Sequence, residues 1–163
     1  NDVSKKDQGP LWDSYWDVIH GVGMAKALGY VPEGKYPNAR RLITQNEFHT
    51  ALDEEPDDLV SDLIDLVLTR SIKLGYEGLV DYNDQIYLPA LFGGIFPRFP
   101  FVAVDEYQDL NPVNHALLEK LVRHRLFGVG DPWQNIYRFR GAKQQGMEEA
   151  KEPTPMHNCA IYI

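Results

Sequence analysis

The sequence predicts an α/β fold: a short parallel sheet that follows a mostly helical N-terminal half. Two apolar runs and the segment between them lead there. Phe101-Val102-Ala103-Val104, after Pro100, is apolar without a break and ends in the adjacent acids Asp105 and Glu106. Such a run reads as a strand buried on both faces, the kind found inside a parallel sheet. A second run, Leu126-Phe127-Gly128-Val129-Gly130, ends in Asp131-Pro132-Trp133-Gln134. Between the two, Asn111 suits a helix cap and Pro112 the first helical position, while Val113, Leu117 and Leu121 recur along one face up to Arg125. Strand, helix, strand at this spacing is a βαβ unit with a right-handed crossover, so both strands end on one edge of the sheet. Open α/β sheets bind ligands at that edge. Asp105, Glu106 and Gln134 are therefore expected to converge on one ligand. Neighbouring residues of an extended chain point opposite ways, so the two acids can divide the work, one holding a metal ion and the other handling a proton or a water.

Upstream, residues 1 to 10 are polar and end in Gly9-Pro10, a lead-in expected to fray. Leu11, Tyr15, Val18, Ile19, Val22, Ala25 and Leu28 recur at helical spacing, with Gly29 as a stop. Trp12 and Trp16 sit on one shoulder of that helix and are expected to bury it against its neighbours. Gly29-Tyr30-Val31-Pro32-Glu33-Gly34-Lys35-Tyr36 satisfies G-x-x-x-x-G-K, but a tyrosine stands where a phosphate loop needs a Ser or Thr hydroxyl. The segment also follows a helix instead of a strand, and Pro32 and Glu33 would put a ring and a negative charge where phosphates must sit. It is expected to be an inter-helix loop. Thr44 to Glu47 fits a capping box that opens a short helix with Phe48 and Leu52 on its apolar face.

The acids of Asp53-Glu54-Glu55-Pro56-Asp57-Asp58 favour the start of another helix, which should run to about Leu74 and stop at Gly75. Leu59, Leu63, Ile64, Val67 and Leu68 are expected to face inward, with Asp62 and Asp65 on a solvated face. Asn83 or Asp84 should cap a short helix from Gln85 to about Phe92. Gly93-Gly94 and Pro97 to Pro100 then turn the chain into the first strand. After Gln134, residues 143 to 156 are polar, and the last apolar run, Cys159 to Ile163, reads as a strand. The chain thus divides into a mostly helical segment, 1–75, and an α/β segment, 76–163.

Composition narrows the function. Acids outnumber bases 24 to 16 among 163 residues, which argues against coating nucleic acid by bulk charge but leaves room for a track of a few placed groups. The single cysteine, Cys159, excludes an internal disulfide framework and a multi-cysteine zinc site, and fits a reducing compartment. His115 and His124 lack metal-compatible partners at helical spacing, and His157 with Cys159 is a bare H-x-C. No stretch of ~18 apolar residues exists, so no membrane span is expected. The chain starts without Met and stops inside an apolar run, and both ends are expected to be cuts through a longer protein.

Three stretches together resemble the superfamily 1 DNA helicases of the UvrD/Rep type. Val104-Asp105-Glu106-Tyr107-Gln108-Asp109-Leu110-Asn111-Pro112 is similar to their Walker B motif, DEAQD followed by Asn or Leu-Asn. Val129 to Ala142 is similar to their motif III, usually VGD, two variable residues, QSIYRFRGA. Asp81-Tyr82-Asn83-Asp84-Gln85-Ile86-Tyr87-Leu88-Pro89 is similar to the stretch DFDDLILLP upstream of them. Three motifs in order are far more specific than one.

The resemblance implies a partial RecA-like motor domain over 76–163, an inserted accessory subdomain over 1–75, and a bacterial or phage protein working in the cytoplasm. It implies ATP and Mg2+ as cofactors and single-stranded DNA as partner. Asp105 would hold magnesium, usually through water, and Glu106 would be the base for the attacking water. Gln134 would contact the γ-phosphate. Gln108 would belong to the same nucleotide site and, with Asp109, tie the motifs together. Tyr137, Phe139 and Arg140 would touch single-stranded DNA, where an aromatic ring can stack on any base. Arg138 would meet phosphate, and Arg140 could instead pair with an acid of the Walker B motif.

Departures from the pattern carry expectations of their own. Tyr107 replaces a small Ala and should crowd the floor of the pocket, while Trp133 and Asn135 occupy variable or Ser positions. Walker A, the arginine fingers and the second motor domain are missing from this stretch, so the chain alone should hydrolyse ATP negligibly. Two rivals remain: a non-catalytic DNA-binding or interaction module that retains helicase motifs, and part of a helicase-nuclease.

Overall fold

A computed structural model describes residues 10–52, 54–131 and 157–162. The order is helix α1 (Pro10–Leu28), α2 (Gln45–Ala51), α3 (Asp58–Tyr76), α4 (Asp84–Phe92), strand β1 (Phe99–Val104), α5 (Pro112–Leu121), β2 (Val122–Gly130) and β3 (His157–Tyr162). The three strands form one sheet in the order β1-β2-β3, with both pairings parallel. The mixed α/β class and the parallel βαβ unit therefore hold.

Local signals set most helix starts. Thr44 and Glu47 form the expected capping box: Thr44 Oγ1 accepts from the Glu47 N–H, and Glu47 Oε2 accepts from the Thr44 N–H at 2.7 Å. Those bonds hold the exposed Glu47 carboxyl below its ordinary range. Asp57 caps α3 through the Val60 N–H, and Asn111 caps α5 through the Asn114 N–H. The G-x-x-x-x-G-K look-alike is a helix end. Gly29, at φ +82, ends α1, and Tyr30 and Val31 then bury their side chains.

One apolar core runs through α1 to α4 and reaches Val113 of α5. Val18, Val22 and Ala25 of α1 meet Val60, Ile64, Leu68 and Ile72 of α3, a four-residue repeat that lies on one helix face. Tyr30 stacks on Phe48 at 4.7 Å between ring centres, and the buried Tyr87 hydroxyl donates to the Tyr30 carbonyl. Burial, followed by the nearby Asp84 charge, pushes the Tyr87 hydroxyl well above its ordinary range. Gly75 lies where a β-carbon would run into Leu88 of α4.

Several expectations are corrected. Strand β1 begins at Phe99 and is not buried on both faces: Phe99 and Phe101 are exposed. It is the edge of its sheet, with β2 as its one hydrogen-bonded neighbour among the described residues, and an edge tolerates Pro100 within the strand. Helix α5 stops at Leu121 and β2 starts at Val122, four residues earlier than the apolar run suggested. Exposed sheet faces let Arg123, His124 and Arg125 sit in a strand, so the polarity that resembled a helix tail belongs to β2.

Trp16 does not bury α1. It is 61% exposed, with its edge against Tyr15. Leu59 is exposed as well, and Val60 faces the core in its place. Asp65 is not simply solvated, because it accepts from the Tyr30 hydroxyl at 2.9 Å. Helix α3 continues past Gly75 to Tyr76. Neither Asn83 nor Asp84 makes the expected side-chain cap at α4; Asp81 Oδ1 takes the Asp84 N–H at 2.8 Å, and Asp84 Oδ2 takes the Asp81 N–H.

Candidate nucleotide site

Both strand tips do lie on one edge. Val104 pairs with Gly128 in the parallel register, so the chain leaves β1 at Asp105 beside the last residues of β2. Asp105 is exposed there, and its Oδ1 accepts from the Glu106 N–H at 3.0 Å. Glu106 adopts the left-handed conformation, φ 51 and ψ 45, unusual for a residue with a β-carbon. That reversal turns the chain into a tight 3-10 turn, Tyr107–Asp109, whose Asp109 N–H returns to the Glu106 carbonyl. Strained backbone of this kind tends to be kept where function needs it.

Gln108 is the centre of the turn. It is 4% exposed, its Nε2 donates to Glu106 Oε2 at 2.7 Å, and its Oε1 accepts from the Asp131 N–H at 3.0 Å. One amide thus joins the acid pair after β1 to the residue that leaves β2. The strand beside it is cut away to make room. At Gly130 a β-carbon would run into Gln108 Oε1, and at Gly128 it would sit 2.7 Å from the Tyr107 ring. Tyr107 fills that space: it is buried over Gly128, edge-on to His115 at 5.2 Å, with Val104, Leu110, Leu118 and Leu126 around it.

Asp109 faces a different setting. Burial, and then the Glu106 charge, raise its carboxyl above the ordinary range, and its Oδ1 accepts no hydrogen bond. It lines a half-open cleft of about 790 Å³ between α1 and the start of α5, with His20, Met24, Asn83 and Asn114 among the other walls.

Beneath the cleft lies a cluster that the sequence reading missed. The Lys26 side chain is 1% exposed, and its Nζ lies 2.7 Å from Asp84 Oδ1 and 2.6 Å from Asp81 Oδ2, with Ser71 Oγ accepting at 2.8 Å. Burial alone would raise the Asp81 carboxyl, but Lys26 and the N–H groups of Asp84 and Asn83 outweigh it and hold it below the usual range. The local clue was Lys26 on the buried face of α1, four residues after Val22. Its acidic partners are 55 and 58 positions away, and Ser71 is 45.

Of the residues expected at the site, Asp105, Glu106 and Gln108 come together. Gln134, Tyr137, Phe139 and Arg140 lie outside the described residues, as do Arg138, Trp133 and Asn135. Among the described residues no cluster of three His, Cys, Asp or Glu side chains could hold a metal ion, and no helix is long and apolar enough to cross a membrane.

A model of the UvrD/REP helicase N-terminal domain matches residues 41–155. The chain belongs to the UvrD/REP helicase family. DNA helicase IV of Escherichia coli is 36% identical over 110 residues, which cover 61% of this chain and 16% of that protein. An ATP-dependent helicase/nuclease subunit of Natranaerobius thermophilus is 36% identical over 128 residues, 63% of this chain and 10% of its own length. ATP-dependent DNA helicase UvrD1 of Mycobacterium tuberculosis is 30% identical over 131 residues, 70% of this chain and 17% of the relative. The chain thus spans between 10% and 17% of the length of these curated relatives. No solved structure matches it. The matched span contains the acid pair after β1 and the Gly-Asp ending of β2.

Proposed function

We propose that the protein containing this chain is an ATP-dependent DNA helicase that moves along single-stranded DNA and unwinds duplex. On this reading residues 76–163 are part of a RecA-like first motor domain, and 1–75 are its accessory subdomain. The observation that carries the proposal is the joint at the sheet edge, where Asp105, Glu106 and the end of β2 are held together through Gln108. Supporting it, the matched relatives are named as ATP-dependent helicases and DNA helicases.

The donors fit magnesium held with a nucleotide. Mg2+ keeps several waters and takes one or two carboxylates plus substrate phosphates, so it does not require an all-protein cage. Asp105 offers an exposed carboxylate whose Oδ1 already takes the Glu106 N–H, which leaves Oδ2 for a metal-bound water. When bound, the ion would neutralise charge on the phosphates. Glu106, the residue that opens the turn, would accept the proton of the attacking water, which is general-base work. Gln134 would contact the γ-phosphate, and Tyr137, Phe139 and Arg140 would meet the single strand.

The experiment is strand displacement by the full-length protein on a fluorescent partial duplex with ATP and Mg2+. ATP-dependent release of the labelled strand is expected; binding without release would favour a non-catalytic module. Phe139→Ala should weaken single-strand affinity by ~1–3 kcal/mol, the worth of one stacked base, and unchanged affinity would remove Phe139 from the DNA track. A helicase-nuclease parent is the second reading, favoured by the helicase/nuclease proteins among the relatives, and metal-dependent DNA cleavage by the full-length protein tests it.

A further inference from the structure

We infer, resting on the nucleotide-site reading above, that Gln108 is the positioning residue for Glu106 and takes its own orientation from the backbone of Asp131. A carboxamide has one accepting end and one donating end. The Asp131 N–H is a donor that cannot change role, so the Gln108 oxygen must face β2 and the nitrogen must face the turn. That nitrogen donates to Glu106 Oε2 at 2.7 Å, a short bond of the charge-assisted kind. Glu106 itself is exposed, so its carboxylate would otherwise sample several rotamers in water. A buried amide, locked at its other end, selects one of them.

Two further features of the structure show that the amide has been given a seat. Glu106 is the one residue with a β-carbon at positive φ among the described residues, and this reversal brings its side chain back within reach of Gln108. On the opposite side, Gly130 leaves room that any other residue would fill, because its β-carbon would collide with Gln108 Oε1. The chain continues from Asp131 into the segment expected to sense phosphate and touch DNA. A shift of the Asp131 N–H itself would therefore release the amide and, through it, the base. Gln108 takes no proton in this account; Glu106 accepts it from water, and the amide fixes where the accepting oxygen stands.

The test uses the full-length protein, with Gln108→Glu and Gly130→Ala. Gln108→Glu keeps the shape and the acceptor for Asp131 but turns a carboxylate oxygen toward Glu106 in place of the donor. Gly130→Ala leaves Gln108 chemically intact and pushes its oxygen off the Asp131 N–H. Both should lower kcat for DNA-stimulated ATP hydrolysis by about 10- to 100-fold, part of the ~10²- to 10⁴-fold a well-placed base supplies. KM, and the Kd for a fluorescent non-hydrolysable ATP analogue, should stay within about twofold of wild type, since the interaction serves the transition state alone.

If Gln108→Glu binds the analogue normally and turns over at the wild-type rate, the amide merely fastens two segments and the inference is wrong. If Gln108→Glu melts early, Gly130→Ala decides by the same split: a folded variant with wild-type kcat overturns the inference. The nucleotide-site reading fails separately, and only if Glu106→Gln leaves hydrolysis intact. Hydrolysis lost in Glu106→Gln but kept in both other variants sinks the positioning role alone.

Discussion

Replacing Lys26 by Met should be among the most destabilising single changes available in this chain. The side chain of Lys26 is 1% exposed and that of Asp84 2%, and Asp84 Oδ1 accepts no hydrogen bond, with the ammonium 2.7 Å away as its ionic partner. Methionine fills a similar volume but strands that oxygen. Removing one member of a buried pair leaves an uncompensated charge and costs about 3–5 kcal/mol. For a domain of this size each kcal/mol moves Tm by ~2–4 °C, so the melting point should fall by about 6–20 °C. Urea unfolding, followed by far-ultraviolet circular dichroism and by tryptophan fluorescence, measures the change and checks that the transition is two-state. Lys26→Met with Asp84→Leu should recover much of the loss, because no charge is then stranded. Asp81→Asn should cost ~1 kcal/mol or less, since that partner's side chain is 55% exposed. A Lys26→Met variant within about 1 kcal/mol of wild type would refute the reasoning and mean that water or a rearranged side chain satisfies Asp84.

Asp109→Asn should raise stability at pH 7. The Asp109 carboxyl is shifted upward in the folded chain by burial and by Glu106, so the folded state binds its proton more tightly than the unfolded state does. Stability is then lost as pH rises from the unfolded value, about 3.9, through the higher folded one, and the variant's advantage should vanish below about pH 4. A higher wild-type Tm at pH 7 would contradict this. Trp16→Ala should change stability by less than about 0.5 kcal/mol, because the ring is 61% exposed with its edge against Tyr15. A loss of several kcal/mol would show that α1 buries that face after all.

What could be read from the sequence was local, and what could not was remote. Thr44 with Glu47, and Asn111 with Pro112, announced helix starts because a cap satisfies backbone donors two or three residues away. The apolar runs before Asp105 and Asp131 gave the parallel pair and the shared edge. The start of β2 was hidden because Val122 is followed by Arg-His-Arg, and a strand with exposed faces has no apolar signature there. The same exposure undid the expectation that β1 is buried. Lys26 meets Asp81 across 55 positions, and Gln108 meets Asp131 across 23, so neither contact leaves a local period. Gly128 and Gly130 looked like ordinary strand glycines until the Tyr107-Gln108 turn was seen lying on them. Their spacing of two, one face of a strand, was the only trace.

The most direct measurement is the rate of ATP hydrolysis, with single-stranded DNA present, by the full-length protein and its Glu106→Gln variant. If Glu106 is the base at a nucleotide site on this sheet edge, the variant should bind the nucleotide but turn over ~10²- to 10⁴-fold more slowly. Hydrolysis at the wild-type rate would contradict the account.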